Sequence, residues 1–146
     1  MTSVPEFMTL KHRECDDYFT EAESAVAQNN WTDATTKFDE FKKELLMHLA
    51  AEEQTLFPQF EQATGMTSGP THVMRMEHEQ MRAILNDLSA ALASNNKDDY
   101  LGYSETLMVL MQQHNMKEEM MLYPMAAQHI SDQASLLTAL KADCAG

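Results

Sequence analysis

A shift of 66 residues lays one half of this chain over the other. It carries His12 to His78, His48 to His114 and Glu52 to Glu118. Glu53 goes to Glu119, Leu56 to Leu122, Phe57 to Tyr123 and Pro58 to Pro124. Met8 goes to Met74, and the pair Asn29-Asn30 goes to Asn95-Asn96. Apolar positions also coincide, Cys15 with Met81, Phe19 with Leu85, Phe41 with Leu107 and Leu45 with Met111. Shared helical periodicity explains matches such as Phe19 and Leu85. It does not explain four of six histidines and two glutamates falling into one register. The repeat therefore predicts two similar helix hairpins related by a pseudo-two-fold axis. Each offers one His from its first helix, and His plus Glu from its second.

The period within each half is helical. Met8, His12, Cys15, Phe19, Ala22 and Val26 are spaced by three and four, which puts them on one stripe of a helix. The same holds for Phe38 to Leu56, Met74 to Leu92 and Leu107 to Met121. No stretch alternates with period two, so strands are not expected. Asn29-Asn30 ends the first helix, and Thr32-Asp33 serves as cap and first turn of the second. Gly65 to Pro70 forms the central loop, Ser94 to Asn96 ends the third helix, and Asp98-Asp99 opens the fourth. Ser131-Asp132 caps a last helix over roughly 133–141. Short connections between long amphipathic helices make neighbours antiparallel. The expected fold is all-α, an up-down-up-down antiparallel four-helix bundle with a short C-terminal helix. One domain is expected over 1–146, with the bundle at about 8–128 and the last helix at about 132–142.

His48 and Glu52, and likewise His114 and Glu118, stand four apart, on one helix face, among apolar neighbours. A buried carboxylate is costly unless it is paired, hydrogen-bonded or bound to a cation. Two such glutamates together repel, and one tends to keep its proton. Cations between them remove the conflict. Nitrogen and oxygen donors suit iron, with zinc a competitor on affinity, and bundle cores build such centres from inward-pointing carboxylates and imidazoles.

The net charge of −13, from 23 acidic and 10 basic residues, argues against binding nucleic acid or an anionic membrane. No apolar run approaches the ~20 residues that span a bilayer. The first ten residues lack the basic-then-apolar pattern of a signal peptide. Two cysteines, Cys15 and Cys144, make no disulfide framework. These features lead to an expectation of a cytoplasmic protein. Cys15 is read as a buried inert thiol, Cys144 as lying in a frayed, reactive tail, and His72 and His129 as surface residues. Pro58 and Pro124 are expected to kink or end helices just past the ligands.

The motifs His48-x-x-x-Glu52-Glu53-x-x-Leu56-Phe57-Pro58 and His114-x-x-x-Glu118-Glu119-x-x-Leu122-Tyr123-Pro124, with Glu77-His78 and His12, resemble the hemerythrin family and its HHE cation-binding branch. The resemblance covers about residues 10–125. It implies a non-haem centre of two iron ions under an oxo or hydroxo bridge. By it Glu52 and Glu118 bridge, His12 and His48 bind one iron, and His78 and His114 bind the other. Oxygen carriers of the family have a second third-helix His where this chain has Met74, and a last carboxylate aligned with Glu119. Alignment of the two halves favours Glu118 as the ligand. Glu53 and Glu119 point about 100° away from the bridging pair and are expected to act outside direct ligation.

A thioether is a poor donor to iron, so Met74 leaves a nearly symmetric centre with more open positions. The expected function is a di-iron protein that binds or senses dioxygen or a related diatomic such as nitric oxide. Apolar walls from Phe41, Leu45, Leu107 and Met111 would exclude water. The alternative is an enzyme or repair protein, acting on peroxide or nitric oxide or delivering iron under oxidative or nitrosative stress. Binding or sensing is favoured over turnover. A metal-free interaction bundle is the third possibility.

Overall fold

A computed structural model describes residues 2–145, so the two end residues of the expected 1–146 domain lie outside the described residues. Among the described residues the chain is all-helical, with no strand. Helix α1 spans Val4–Ala27 and α2 spans Trp31–Ala51. A π turn, Glu52–Leu56, leads from α2 into α3, Phe57–Thr64. The second half repeats the order with α4 at Pro70–Ala93, α5 at Lys97–Lys117, a π turn at Glu118–Leu122 and α6 at Tyr123–His129. Helix α7, Gln133–Asp143, follows. Within the bundle α1 packs along α2 and α4 along α5, while α1 also meets α5 and α2 meets α4.

The asparagine pairs make the two tight connections. Asn29 and Asn95 adopt left-handed backbone conformations, φ 59° and 53°, which Asn tolerates better than most residues. The next asparagine of each pair caps the following helix. Asn30 accepts from the Asp33 backbone N–H, and Asn96 from that of Asp99. The cap of α2 is thus Asn30 rather than Thr32-Asp33, because the side-chain acceptor must stand before the first helical turn. Asp132 caps α7 as expected, accepting from Ser135 N–H.

The prolines do not end their helices. The N–H of Phe57 bonds to the carbonyl of Glu52, and that of Tyr123 to Glu118, each five residues back. This wide turn places Pro58 and Pro124 in the first turn of the next helix, where a missing N–H costs nothing.

Two apolar clusters fill the interior. One, with Phe19, Phe38, Phe41, Leu45, Leu85 and Leu107, occupies the end of the asparagine turns. The other, with Met8, Phe57, Phe60, Met74, Tyr123 and Leu136, occupies the other end. Helix α7 seals the second cluster and brings Cys144 into it, so this thiol is buried rather than in a frayed tail. Burial raises Cys144 to about 11 and Cys15 to about 12. Neither is therefore a thiolate at neutral pH. His72 and His129 are exposed.

Candidate metal centre

Between the two clusters lies a buried polar layer. His12 comes from α1, His48 from α2, His78 from α4 and His114 from α5. Glu52 and Glu118 open the two π turns and are wholly shielded from solvent. Each apolar side chain taken from water contributes about 1.5–3 kcal/mol, whereas a buried ion costs several kcal/mol. A layer of two carboxylates and four imidazoles is therefore not what a core needs for stability.

All six residues singled out in the sequence converge. Donor atoms of His12, His48, Glu52 and Glu118 lie within 4.8 Å of one another, and so do those of Glu52, His78, His114 and Glu118. The two groups share both glutamates. Several of these atoms have no hydrogen-bond partner despite full burial: Glu52 Oε1, Glu118 Oε2, His78 Nε2 and His114 Nε2. His78 Nε2 and Glu52 Oε1 are 3.1 Å apart, yet the angles between them do not make a hydrogen bond. Orphaned buried polar atoms of this kind are rare in folded proteins. Nitrogen and oxygen donors turned toward a shared space fit a cation well, and these two groups could each hold a metal ion.

The outer nitrogens of three imidazoles are held by carboxylates. Nδ1 of His12 donates to Glu119 at 2.7 Å, Nδ1 of His78 to Glu53 at 2.7 Å, and Nδ1 of His114 to Glu77 at 2.8 Å. An ionised carboxylate only accepts, so each Nδ1 carries the proton and each Nε2 faces the centre. Arg82 forks both oxygens of Glu53 at 2.8 Å, and Lys117 reaches Glu77 at 2.6 Å. Glu53 and Glu119 thus act on the imidazoles from outside, in line with the angle read from the sequence. Carboxylate–imidazole pairs of this type orient ligating histidines and raise their basicity.

Residues 3–126 match the hemerythrin HHE cation binding domain. The chain belongs to this family. It is also similar to an uncharacterized hemerythrin-like protein of Schizosaccharomyces pombe, 26% identical over 137 residues, 93% of this chain. The chain spans 65% of that relative's length. No solved structure gives a significant match.

In this hemerythrin-family chain the charges of the layer are mutually supported. Burial pushes Glu52 up, but the charge of His48 and the close contacts with Glu118, His48 and His78 outweigh it and hold the group well below the usual range. Burial opposes charge on His12, yet hydrogen bonds to Glu118 and Glu119 raise it to about 10. His114 is raised to about 9 against the same opposition, by the charges of Glu118 and Glu52 and the hydrogen bond to Glu77. The layer demands positive charge between its carboxylates, supplied by protons or by metal.

Sequence reasoning assigned no role to Glu77 or Tyr123. Glu77 stood in the quoted Glu77-His78 motif, but its partner His114 is on another helix. Tyr123 stood in the repeat opposite Phe57, where a gained hydroxyl was the available signal. That hydroxyl donates to Glu52 at 2.7 Å and lies 3.1 Å from Glu118. It also lies 3.1 Å from Nε2 of His12 and 3.3 Å from Nε2 of His48. Burial, then the charges of Glu118 and Glu52, push its pKa well above the usual value.

Beside the layer is a small, largely enclosed cavity lined by Cys15, Leu45, Leu49, Met81, Met111 and Asn115 with His12, His48 and His114. Of the four expected apolar walls, Leu45 and Met111 line it, while Phe41 and Leu107 pack further into the cluster. An open cleft lined by Arg13, Asp16, Met116, Glu119 and Met120 reaches His12 from the surface. Met74 is buried in the second cluster. Among the described residues no helix is long and apolar enough to cross a membrane.

Proposed function

We propose that this chain is a di-iron protein that binds or senses dioxygen or a related small diatomic such as nitric oxide. In this reading residues 1–146 form one domain, an up-down-up-down antiparallel four-helix bundle with α7 appended. His12 and His48 hold one ion, His78 and His114 the other, and Glu52 and Glu118 bridge them. The oxygen bridge of the family belongs to the same reading. The observation that carries it is the pair of buried donor groups sharing two glutamates, with inward-facing atoms left without hydrogen-bond partners. Bound iron would supply redox chemistry and an attachment point for a small ligand.

The protein's own residues prepare that place. Glu119, Glu53 and Glu77 fix three imidazole rings through Nδ1. Leu45, Met81 and Met111 keep the adjoining cavity apolar. The cleft at Glu119 and Met120 brings solvent and small molecules to the outer side of His12.

Anaerobic loading with ferrous iron, followed by an iron count and an absorption spectrum before and after oxygen, tests the proposal. Two irons per chain and an oxygen-dependent, reversible colour change are expected. Less than about half an iron per chain would remove it, since a formed site of this kind should fill. In the same assay Glu52→Ala is expected to release both ions, because one carboxylate serves both. Retention of both would overturn the bridging assignment.

Turnover of peroxide or nitric oxide, or iron delivery, is the second reading. It is favoured by Met74, which sits in the apolar cluster and, as a thioether, would leave a coordination position of iron unfilled. Steady-state loss of hydrogen peroxide over the iron-loaded protein supports it, and absence of turnover supports binding or sensing.

A further inference from the structure

The two rings that stack on imidazoles of the centre differ by one atom. In the second half the Tyr123 ring stacks on His12 with centroids 5.6 Å apart and planes at 27°. In the first half the Phe57 ring stacks on His78 at 5.4 Å and 29°. The repeat and the packing thus place both rings alike, each over an imidazole of the other half and each fully buried. Ring position is set by this stacking, not by the hydroxyl, because Phe57 adopts it without one. The hydroxyl of Tyr123 then falls among one donor group only, that of His12, His48, Glu52 and Glu118.

Its distances to those four atoms run from 2.7 to 3.3 Å. Two donors each about 2.1 Å from a first-row ion, at right angles to one another, stand about 3.0 Å apart. The hydroxyl oxygen therefore has the spacing of a fellow donor toward all four atoms at once. A tyrosine needing only one acceptor for its proton would be satisfied by Glu52 alone.

We propose that the Tyr123 oxygen is an additional metal donor, bound to the ion of the His12 and His48 group and absent from that of His78 and His114. The inference rests on the metal-centre reading above. Ligation exchanges the O–H bond for a metal–oxygen bond and releases the proton to water. The consequence is an asymmetric pair of ions between two matched ring positions. The ion beside Tyr123 gains a hard oxygen donor that favours the ferric state, while the ion beside Phe57 keeps a position free.

The test uses the full chain, the Tyr123→Phe variant and the Phe57→Tyr variant, each loaded with ferrous iron and oxidised in air. Iron is counted on every sample. Visible absorption and resonance Raman spectra are then recorded. Wild type is expected to show a ferric–tyrosinate charge-transfer band whose excitation enhances tyrosine ring modes. Tyr123→Phe should lose the band and ring modes while retaining its iron, and Phe57→Tyr should gain a second tyrosinate contribution. Iron-loaded wild type without tyrosinate modes, or a band that survives in Tyr123→Phe, would overturn the proposal. A chain that takes up no iron would instead fail at the count, and the metal-centre reading would fall together with the tyrosine donor.

Discussion

Glu77 holds Nδ1 of His114 at 2.8 Å. The position matching Glu77 in the first half is Lys11, and Nδ1 of His48, the counterpart of His114, has no hydrogen-bond partner. One imidazole of four is thus left without an outer carboxylate. Loss of such a partner typically weakens metal binding about 10–100-fold. Glu77→Gln is expected to fall in that range in a chelator competition assay. Lys11→Glu supplies a carboxylate at the matching place and is expected to tighten one of the two ions. An unchanged chelator midpoint in both variants would show that these contacts do not govern affinity.

Arg82 and Glu53 give a graded case. Arg82 forks Glu53, and Glu53 holds His78. Burial raises Glu53 but the hydrogen bonds from Arg82 and His78 keep it ionised below the usual range. Glu53→Ala should therefore weaken metal binding more than Arg82→Ala, which leaves the contact to His78 intact. Equal losses would place the main effect in the arginine.

The metal-free protein should lose stability as pH rises. His12 is raised to about 10 and His114 to about 9, from an ordinary value of 6.5. The folded state thus keeps protons that the unfolded chain releases. Their stabilisation is fully present below about 6.5 and disappears as pH climbs through 9 and 10. Glu52 has the opposite sign. Held well below its ordinary 4.5, it stabilises above that pH, and its contribution is lost on acidification. Urea midpoints of metal-free protein should peak between those two ordinary values and decline from pH 7 to 10. Iron-loaded protein should decline less, since the ions replace the protons. A flat metal-free profile from pH 7 to 10 would contradict the protonated pair.

Met74→His tests the departure from the oxygen carriers. Met74 is 3% exposed, among Phe57, Phe60 and Leu122. A histidine there buries ring nitrogens without partners, at a cost of about 1–3 kcal/mol. For a chain of this size that lowers the melting temperature by roughly 2–12 °C. If the new imidazole reaches an ion, iron should restore the loss and an oxygen adduct should last longer. An equal loss with and without iron would mean that the position serves packing alone.

Much of this was legible in the sequence because the repeat reports on burial and direction together. His12, His48, Glu52, His78, His114 and Glu118 fell into register, and the structure brings all six into one layer. The asparagine turns were readable because Asn tolerates left-handed backbone and also caps helices. What escaped was contact that helical spacing does not encode. Glu77 meets His114 across two helices. Tyr123 reaches Glu118 five residues away, a separation that ordinary helical periodicity sends to another face. Cys144 was misplaced because burial of the tail depends on Leu136 and Leu140 docking against the second cluster.

The wide turns at Glu52 and Glu118 have a bearing on which changes of length this chain can accept. Each accommodates a surplus residue relative to a regular helix, and so sets the rotational phase of everything downstream. Removing one residue between Glu52 and Phe57, or between Glu118 and Tyr123, would close the turn to a regular spiral and leave Phe57 or Tyr123 bonded to the same carbonyl. A single-codon loss is thus the change of length these turns can take up, whereas a further inserted codon would dephase a whole helix.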